Sequence, residues 1–421
     1  MKTKLIIVSI LIALTTIASV NHLLTINFNL EDTLIIDGQK INIQIQEDTD
    51  GLRLILDGKG QSFNFDSFDF IEDLFIQNTI KSISIINSPA SNITAGQVIN
   101  VPFILENDPY SKIANNTIGN FTDSTYTFGI KLVNCPHTEI YNNTIFNVTS
   151  TSNSVSGIHL FNSRNTTIRN NTIQKISSTS TNIFNDHRDT YGILVNSSQD
   201  VHILNTAIVD LSSKRYTYGI LVESSQTTKI NDSLIQSISA SSSHGIYAVD
   251  SDGLITKNNT ISNIISSSQA SSAISLQNCP SSSVILNNIT NLDAQLRSRG
   301  VFLEYSENSI VGNNTIESLF IQSEDPNYSS LYGIGLIASE MSLIEWNDID
   351  YLSSPEESEA IGIYAEESKN LIVKNNTISN VTSSFGLFII KSNDTVISWN
   401  VFANVNNWIN IDETSFDVIY S

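Results

Sequence analysis

A short phrase, Asn-Asn-Thr-Ile, returns at 115–118, 142–145, 170–173, 258–261, 313–316 and 375–378. No other feature restricts the fold as much. A second phrase, aromatic-Gly-apolar-x-apolar, precedes it around Gly129, Gly192, Gly219, Gly333 and Gly386. With that Gly as position zero, ten coils align, starting at 129, 157, 192, 219, 245, 273, 300, 333, 362 and 386, with Ala273 replacing Gly once. An eleventh starts at Pro102 and a degenerate one at Ser82. Self-similarity at such a period marks a solenoid or other repeat architecture.

The columns of the alignment read as β-structure. Sixteen residues after position zero stand Ile118, Ile145, Ile173, Ile208, Ile235, Ile261, Ile289, Ile316, Ile349, Ile378 and Phe402, and three further on is another wholly apolar set, Phe121 to Val405. Alternation with period two within each coil indicates strands, since a helix repeats its apolar face every ~3.6 residues. Position fourteen is Asn in nine of eleven coils, among them Asn116, Asn143, Asn259, Asn314 and Asn376. Stacked Asn amides bond to one another at the ~4.8 Å strand spacing and satisfy a buried turn. Three short strands per coil with such a ladder predict an all-β parallel β-helix. Position six is Ser or Cys in every Gly-type coil, including Cys135 and Cys279. Those two lie about five coils, roughly 24 Å, apart. A disulfide needs Cα atoms within ~7 Å, so both are expected to be free and buried.

Composition fits this reading. The chain holds 49 Asn and 61 Ser in 421 residues, yet its 40% hydrophobic content suffices for a large core and argues against disorder. Net charge is −21, which excludes a nucleic-acid partner, because phosphate binding needs clustered Lys and Arg. The charge is uneven: residues 293–421 carry 19 acids against 5 bases. Lys2 and Lys4 followed by an apolar run from Leu5 to about Val20 predict a signal peptide over 1–20, or alternatively an uncleaved anchor. Residues 21–81 are expected to form a cap and irregular first coils, 82–410 the β-helix, and 411–421 a C-terminal cap. The protein is expected outside the cytoplasm, as a monomer, with no membrane contact beyond that first segment.

These columns resemble the right-handed parallel β-helix repeat superfamily, over about residues 82–410. It includes pectate lyases, polygalacturonases and the β-helix domain of periplasmic copper-loading accessory proteins, whose repeat pattern is most similar. The resemblance implies a single right-handed solenoid of about 11–14 coils with end caps, and is unspecific for function. The Asn-Thr-Asp, Asp-Asp, Gly-His-Gly and Arg-Ile-Lys motifs of polygalacturonase-like enzymes are missing; the nearest match is Ser243-His244-Gly245. Copper finds no support either, since Met341 is the only Met beyond Met1 and the His residues are scattered.

Candidate chemistry sits on the variable inserts and the strand beside them. Coil length varies only between position nineteen and the next Gly, so the inserts stack into one ridge, where function is usually placed. The outward residue two after Gly gives an aromatic file, Tyr247, Phe302, Tyr364 and Phe388, read as an exposed platform for sugar rings or a protein partner, or as residues that simply suit strands. The longest insert contributes Asp186, His187, Arg188 and Asp189, with His159 on the preceding coil. A His between carboxylates can act as a base, and an Arg can hold a sugar carboxylate or an oxyanion; a hydrogen-bonded surface loop is the plainer alternative. Glu324, Asp325, Asp348, Asp350, Glu356, Glu357 and Glu359 supply hard oxygens of the kind Ca²⁺ takes, though acidic runs are more often solvated faces. No other cofactor is implied. Sixteen Asn-x-Ser/Thr sequons occur, six generated by the coil motif itself, and glycans are expected mainly on the inserts. Two functions remain open: a non-catalytic module that binds a polysaccharide or a cell-surface protein, and a polysaccharide-active lyase, hydrolase or epimerase using the ridge over residues 159–215.

Overall fold

The computed structural model describes residues 32–36, 39–48, 51–57, 64–65, 80–86, 90–93, 98–180, 188–323, 325, 329–356 and 358–420. The 1–20 segment lies outside them, as do Asp186, His187, Glu324 and Glu357. The described secondary structure is entirely β. In the coil built on Gly129 the strands are Thr127–Val133, Glu139–Tyr141 and Thr144–Ser150. Each pairs in parallel with its counterpart one coil on: Ile130 with Ile158, Ile140 with Ile168, Ile145 with Ile173. The pattern repeats for about eleven turns, a rod of roughly 50 Å at ~4.8 Å per coil.

The apolar columns form the core. Ile118, Ile145, Ile173, Ile208, Ile235, Ile261, Ile289, Ile316, Ile349 and Ile378 are fully buried. Position zero must be small because the strand there approaches both this column and the next coil. A Cβ on Gly219 would come 2.5 Å from the Gly245 carbonyl oxygen and 2.5 Å from Ile235.

The Asn ladder runs as its spacing predicts. Asn116 N–H and Asn116 Nδ2 both donate to Asn143 Oδ1, at 3.0 and 3.1 Å, and Asn143 repeats this to Asn171. Where Thr206 and Ser233 interrupt it, hydroxyls take over as acceptors, Thr206 N–H donating to Ser233 Oγ and Ser233 N–H to Asn259 Oδ1. A second ladder occupies position six, where Cys135 N–H donates to Ser163 Oγ and Ser163 N–H to Ser198 Oγ. Cys135 and Cys279 are free and buried, and burial pushes both thiols up to about 12.

The corners add a second cause for the Asn excess. In the Gly129 coil, Asn134, His137, Asn142 and Asn147 take φ of 53, 60, 53 and 50°. The same four columns are left-handed from coil to coil, and Asn recurs in them because its short amide tolerates that region better than other side chains with a Cβ.

Parallel stacking exceeds the expected 82–410 limits at both ends. Strand Gly51–Asp57 already pairs in parallel with Ile80–Ile86, whereas Asp32–Ile36 and Gly51–Asp57 each pair antiparallel with Gln39–Asp48. At the other end Ile419 pairs in parallel with Val396, and Ser415 accepts from Ser392 N–H, so both the sheet and the Ser ladder continue through 411–420. No helix among the described residues is long and apolar enough to cross a membrane.

Candidate functional site

The first strand of each coil carries two outward columns in register. Two residues after position zero run Lys131, His159, Leu194, Leu221, Tyr247, Ser275, Phe302, Gly335, Tyr364 and Phe388. One residue before it run Phe128, Ser156, Tyr191, Tyr218, His244, Ser272, Arg299, Tyr332, Ile361 and Phe385. The second column is the one that reasoning from the inserts passed over. Its signal was present in the sequence as the aromatic that precedes the repeat Gly.

The two columns interlock. Tyr191 stacks on Tyr218 at 5.6 Å and 6°, Tyr218 on His244 at 5.3 Å and 13°, and Tyr332 on Tyr364 at 4.6 Å and 2°. Rings piled one coil above another use their faces on each other and present edges and hydroxyls outward. The expectation of an exposed aromatic file therefore fails at two of four positions: Phe302 is 4% exposed and Tyr364 8%. The Arg299 guanidinium lies 3.8 Å over the Phe302 ring, and Tyr332 covers Tyr364. Gly335 makes this possible, since a Cβ there would come 2.9 Å from Phe302 and 3.0 Å from Tyr332. Tyr247 and Phe388 are half-buried, and Tyr247 Oη donates to Gln277 Oε1 at 2.6 Å.

Of the catalytic candidates, His159 falls on one coil and Arg188 and Asp189 on the next, at one end of this face. His159 Nδ1 is 3.1 Å from Tyr126 Oη, which also lies 3.3 Å from Ser156 Oγ. Tyr191 Oη donates to Asp189 Oδ2 at 3.3 Å, and Asp189 N–H donates to Ser154 Oγ at 3.0 Å. Burial, and then Lys131, push His159 down to about 3, so at neutral pH it is an uncharged hydrogen-bonding ring. Burial also raises Tyr126 and Tyr191 well above the ordinary phenol value. The arrangement holds hydroxyls and a neutral imidazole against one another; it offers a weak base at most.

The acidic candidates do not assemble. Asp350 Oδ1 accepts from Ser379 Oγ at 2.8 Å and Asn380 Nδ2 at 2.6 Å, and the neighbouring Asp348 is exposed. Among the described residues no three His, Cys, Asp or Glu side chains are grouped as a metal site.

The comparisons agree with this architecture. A family model described as a right handed beta helix region matches residues 218–419, and one described as periplasmic copper-binding protein (NosD) matches 70–264. Together the two matches and the stacked coils show a right-handed parallel β-helix fold. Among solved structures, this β-helix is similar to the A-module of Azotobacter vinelandii mannuronan C-5 epimerase AlgE4, with a TM-score of 0.53 and 11% identity over 82% of this chain and 93% of that one. It is also similar to a mutant of the periplasmic alginate epimerase AlgG, with a TM-score of 0.52 and 14% identity over 88% and 85%. At these identities the likeness concerns the fold. No curated protein sequence matches the chain. The described residues do not fit the copper of the NosD description: Met341 is exposed at a corner, and no three His, Cys, Asp or Glu side chains are grouped among them.

Proposed function

We propose that this β-helix protein works outside the cytoplasm as a non-catalytic saccharide-binding module that lays a glycan along the two outward columns. The observation that carries the reading is the continuity of that face. Ring edges and tyrosine hydroxyls recur over adjacent coils, with the cations Arg215 on one coil and Arg297 and Arg299 three coils on, in a chain whose net charge is −21. Sugars are recognised by hydroxyl-rich edges as well as by ring faces, and here the faces are already occupied. The periplasmic description of a matching family model supports the location, and the epimerases of alginate and mannuronan support the use of such a scaffold on polysaccharides. The antiparallel strands over 32–57 would serve as the N-terminal cap, and the module would act as a monomer.

A glycan array followed by titration in solution tests this. Binding of at least one polysaccharide, weakened about tenfold or more by Tyr218→Ala or Tyr247→Ala, is the expected result. Binding unchanged in both variants would overturn it. A polysaccharide-active enzyme is the second reading, favoured by the Tyr126–His159 and Tyr191–Asp189 bonds on adjacent coils. Turnover of any polysaccharide that is lost in His159→Ala would replace the first reading with this one.

A further inference from the structure

The second strand of each coil turns its first residue outward, and the file so formed changes character along the rod. In the early coils it is polar, with Lys112, Glu139, Thr167, His202 and Lys229 in register. In the last five rungs it is apolar, and Ile310, Leu343, Ile372, Val396 and Ile419 pair rung to rung. The adjoining Val311, Ile344, Val373 and Ile397 are buried in the core, whereas Ile310, Ile372, Val396 and Ile419 are 41, 41, 37 and 65% exposed. Packing of the coils does not demand apolar side chains in this file, since polar ones serve in its first half.

The rims extend the patch. Trp346 and Trp399, on the corner after the strand, are 57 and 72% exposed, and Met341 and Phe416, on the corner before it, are 51 and 63% exposed. Contiguous exposed apolar surface of this kind marks an interaction site. The corner before the strand also carries acids: Glu307 and Glu340 on adjacent coils and Asp394 and Asp417 on the last two, with Lys369 between them. Lys374 is engaged by Glu345 at 3.2 Å and Lys391 by Glu367 at 3.1 Å. The complement of such a surface is a row of apolar residues with cations along one side.

Spacing selects the form of that complement. The rungs repeat every ~4.8 Å, close to the ~5.4 Å pitch of an α-helix. An extended strand brings the same face round only every ~6.7 Å and falls out of step. Four intervals make a strip of roughly 19 Å, the length of about 13 helical residues. We propose that this strip docks an amphipathic helix of a partner protein, with its apolar face on the strip and Lys or Arg along the rim of Glu307, Glu340, Asp394 and Asp417. The strip lies on a different sheet from the two outward columns, so the proposal is independent of the saccharide reading.

The test is titration of the full chain, at about 0.15 M salt, with a stapled helical peptide of about 14 residues bearing Leu on one face and Lys on its flank. Calorimetry and tryptophan emission follow binding. One control peptide has Glu in place of Lys, and another keeps the composition but scrambles the helical period. Saturable binding of the Lys helix is expected, at least about tenfold tighter than either control, with a blue shift of the emission. Ile372→Ser should weaken it about tenfold, whereas Lys229→Ser, in the polar half of the same file, should leave it unchanged. Should Ile372→Ser fail to melt cooperatively, Trp399→Ala with the calorimetric readout takes its place. No binding of the Lys helix up to about 1 mM, equal binding of all the peptides, or undiminished binding by the strip variant would each overturn the proposal. Partition onto phosphatidylcholine vesicles, or self-association in sedimentation, that Ile372→Ser abolishes would also overturn it, by assigning the strip to a membrane or to a second copy.

Discussion

Asn314 and Ser272 are each 1% exposed, yet the molecule treats them in opposite ways. Asn314 sits in the interior ladder, where Oδ1 accepts from Asn287 N–H and Nδ2 at 2.9 and 3.0 Å and its own Nδ2 donates to Val284 O and Asn347 Oδ1 at 2.8 and 2.9 Å. Ser272 faces outward beneath Arg299, and its hydroxyl bonds to nothing. The difference separates two uses of a buried polar group. Inside the rod the stacked amides close a network that fixes the register of one coil on the next, with only Asn116 Oδ1, at the first described rung, left unpaired. On the face, the Ser272 hydroxyl is buried with its bonding capacity unspent.

The largest expected effect breaks the ladder side of that contrast. Asn314→Ala takes the acceptor from Asn287 N–H and Nδ2 and the Nδ2 donor from Val284 O and Asn347 Oδ1, and should cost roughly 3 kcal/mol in urea denaturation. A loss below about 1 kcal/mol would show the ladder to be ornamental to stability.

An intermediate effect concerns two histidines, His244 buried and His159 half-buried. Burial, with Arg299 second, pushes His244 down to about 3 from an ordinary value of 6.5, so unfolding takes up a proton between those limits. Its contribution is complete above about pH 6.5 and falls as the solution is acidified, at about 1.4 kcal/mol per pH unit. From pH 7 to 5 the loss should be about 2 kcal/mol, and His244→Phe should remove it. His159 has the same sign of shift but is half-buried and bonded to Tyr126, so His159→Phe should flatten the profile less. Equal profiles for both variants and the wild type would contradict the burial argument.

The smallest effect is the sharpest. Ser272→Ala should change stability by less than ~0.5 kcal/mol, because no bond is lost. Melting of this variant alongside Asn314→Ala reads the contrast directly; similar losses in the two would mean the Ser272 hydroxyl is already employed.

The fold was legible because each coil meets the same neighbours, so every column repeats one physical demand. Ile at position sixteen, Asn at fourteen and Ser or Cys at six each state it many times over. The site was legible only in part. The column two residues after Gly was read correctly as outward, and Cys135 and Cys279 correctly as free. The column before Gly, with Tyr218, His244 and Arg299, was visible as a motif but not weighed, because its residues differ from coil to coil.

By itself the sequence determined what is periodic: parallel strands, the interior ladders, and the acidity of the C-terminal third. Tertiary structure alone decided what depends on neighbours several coils apart. Only once Arg299 lies over Phe302 and Tyr332 leans across Gly335 onto Tyr364 does an outward aromatic become a buried one. Only stacking of three successive coils sets His244, Ser272 and Arg299 in line, since a register fixes which side chains meet and no single coil records it.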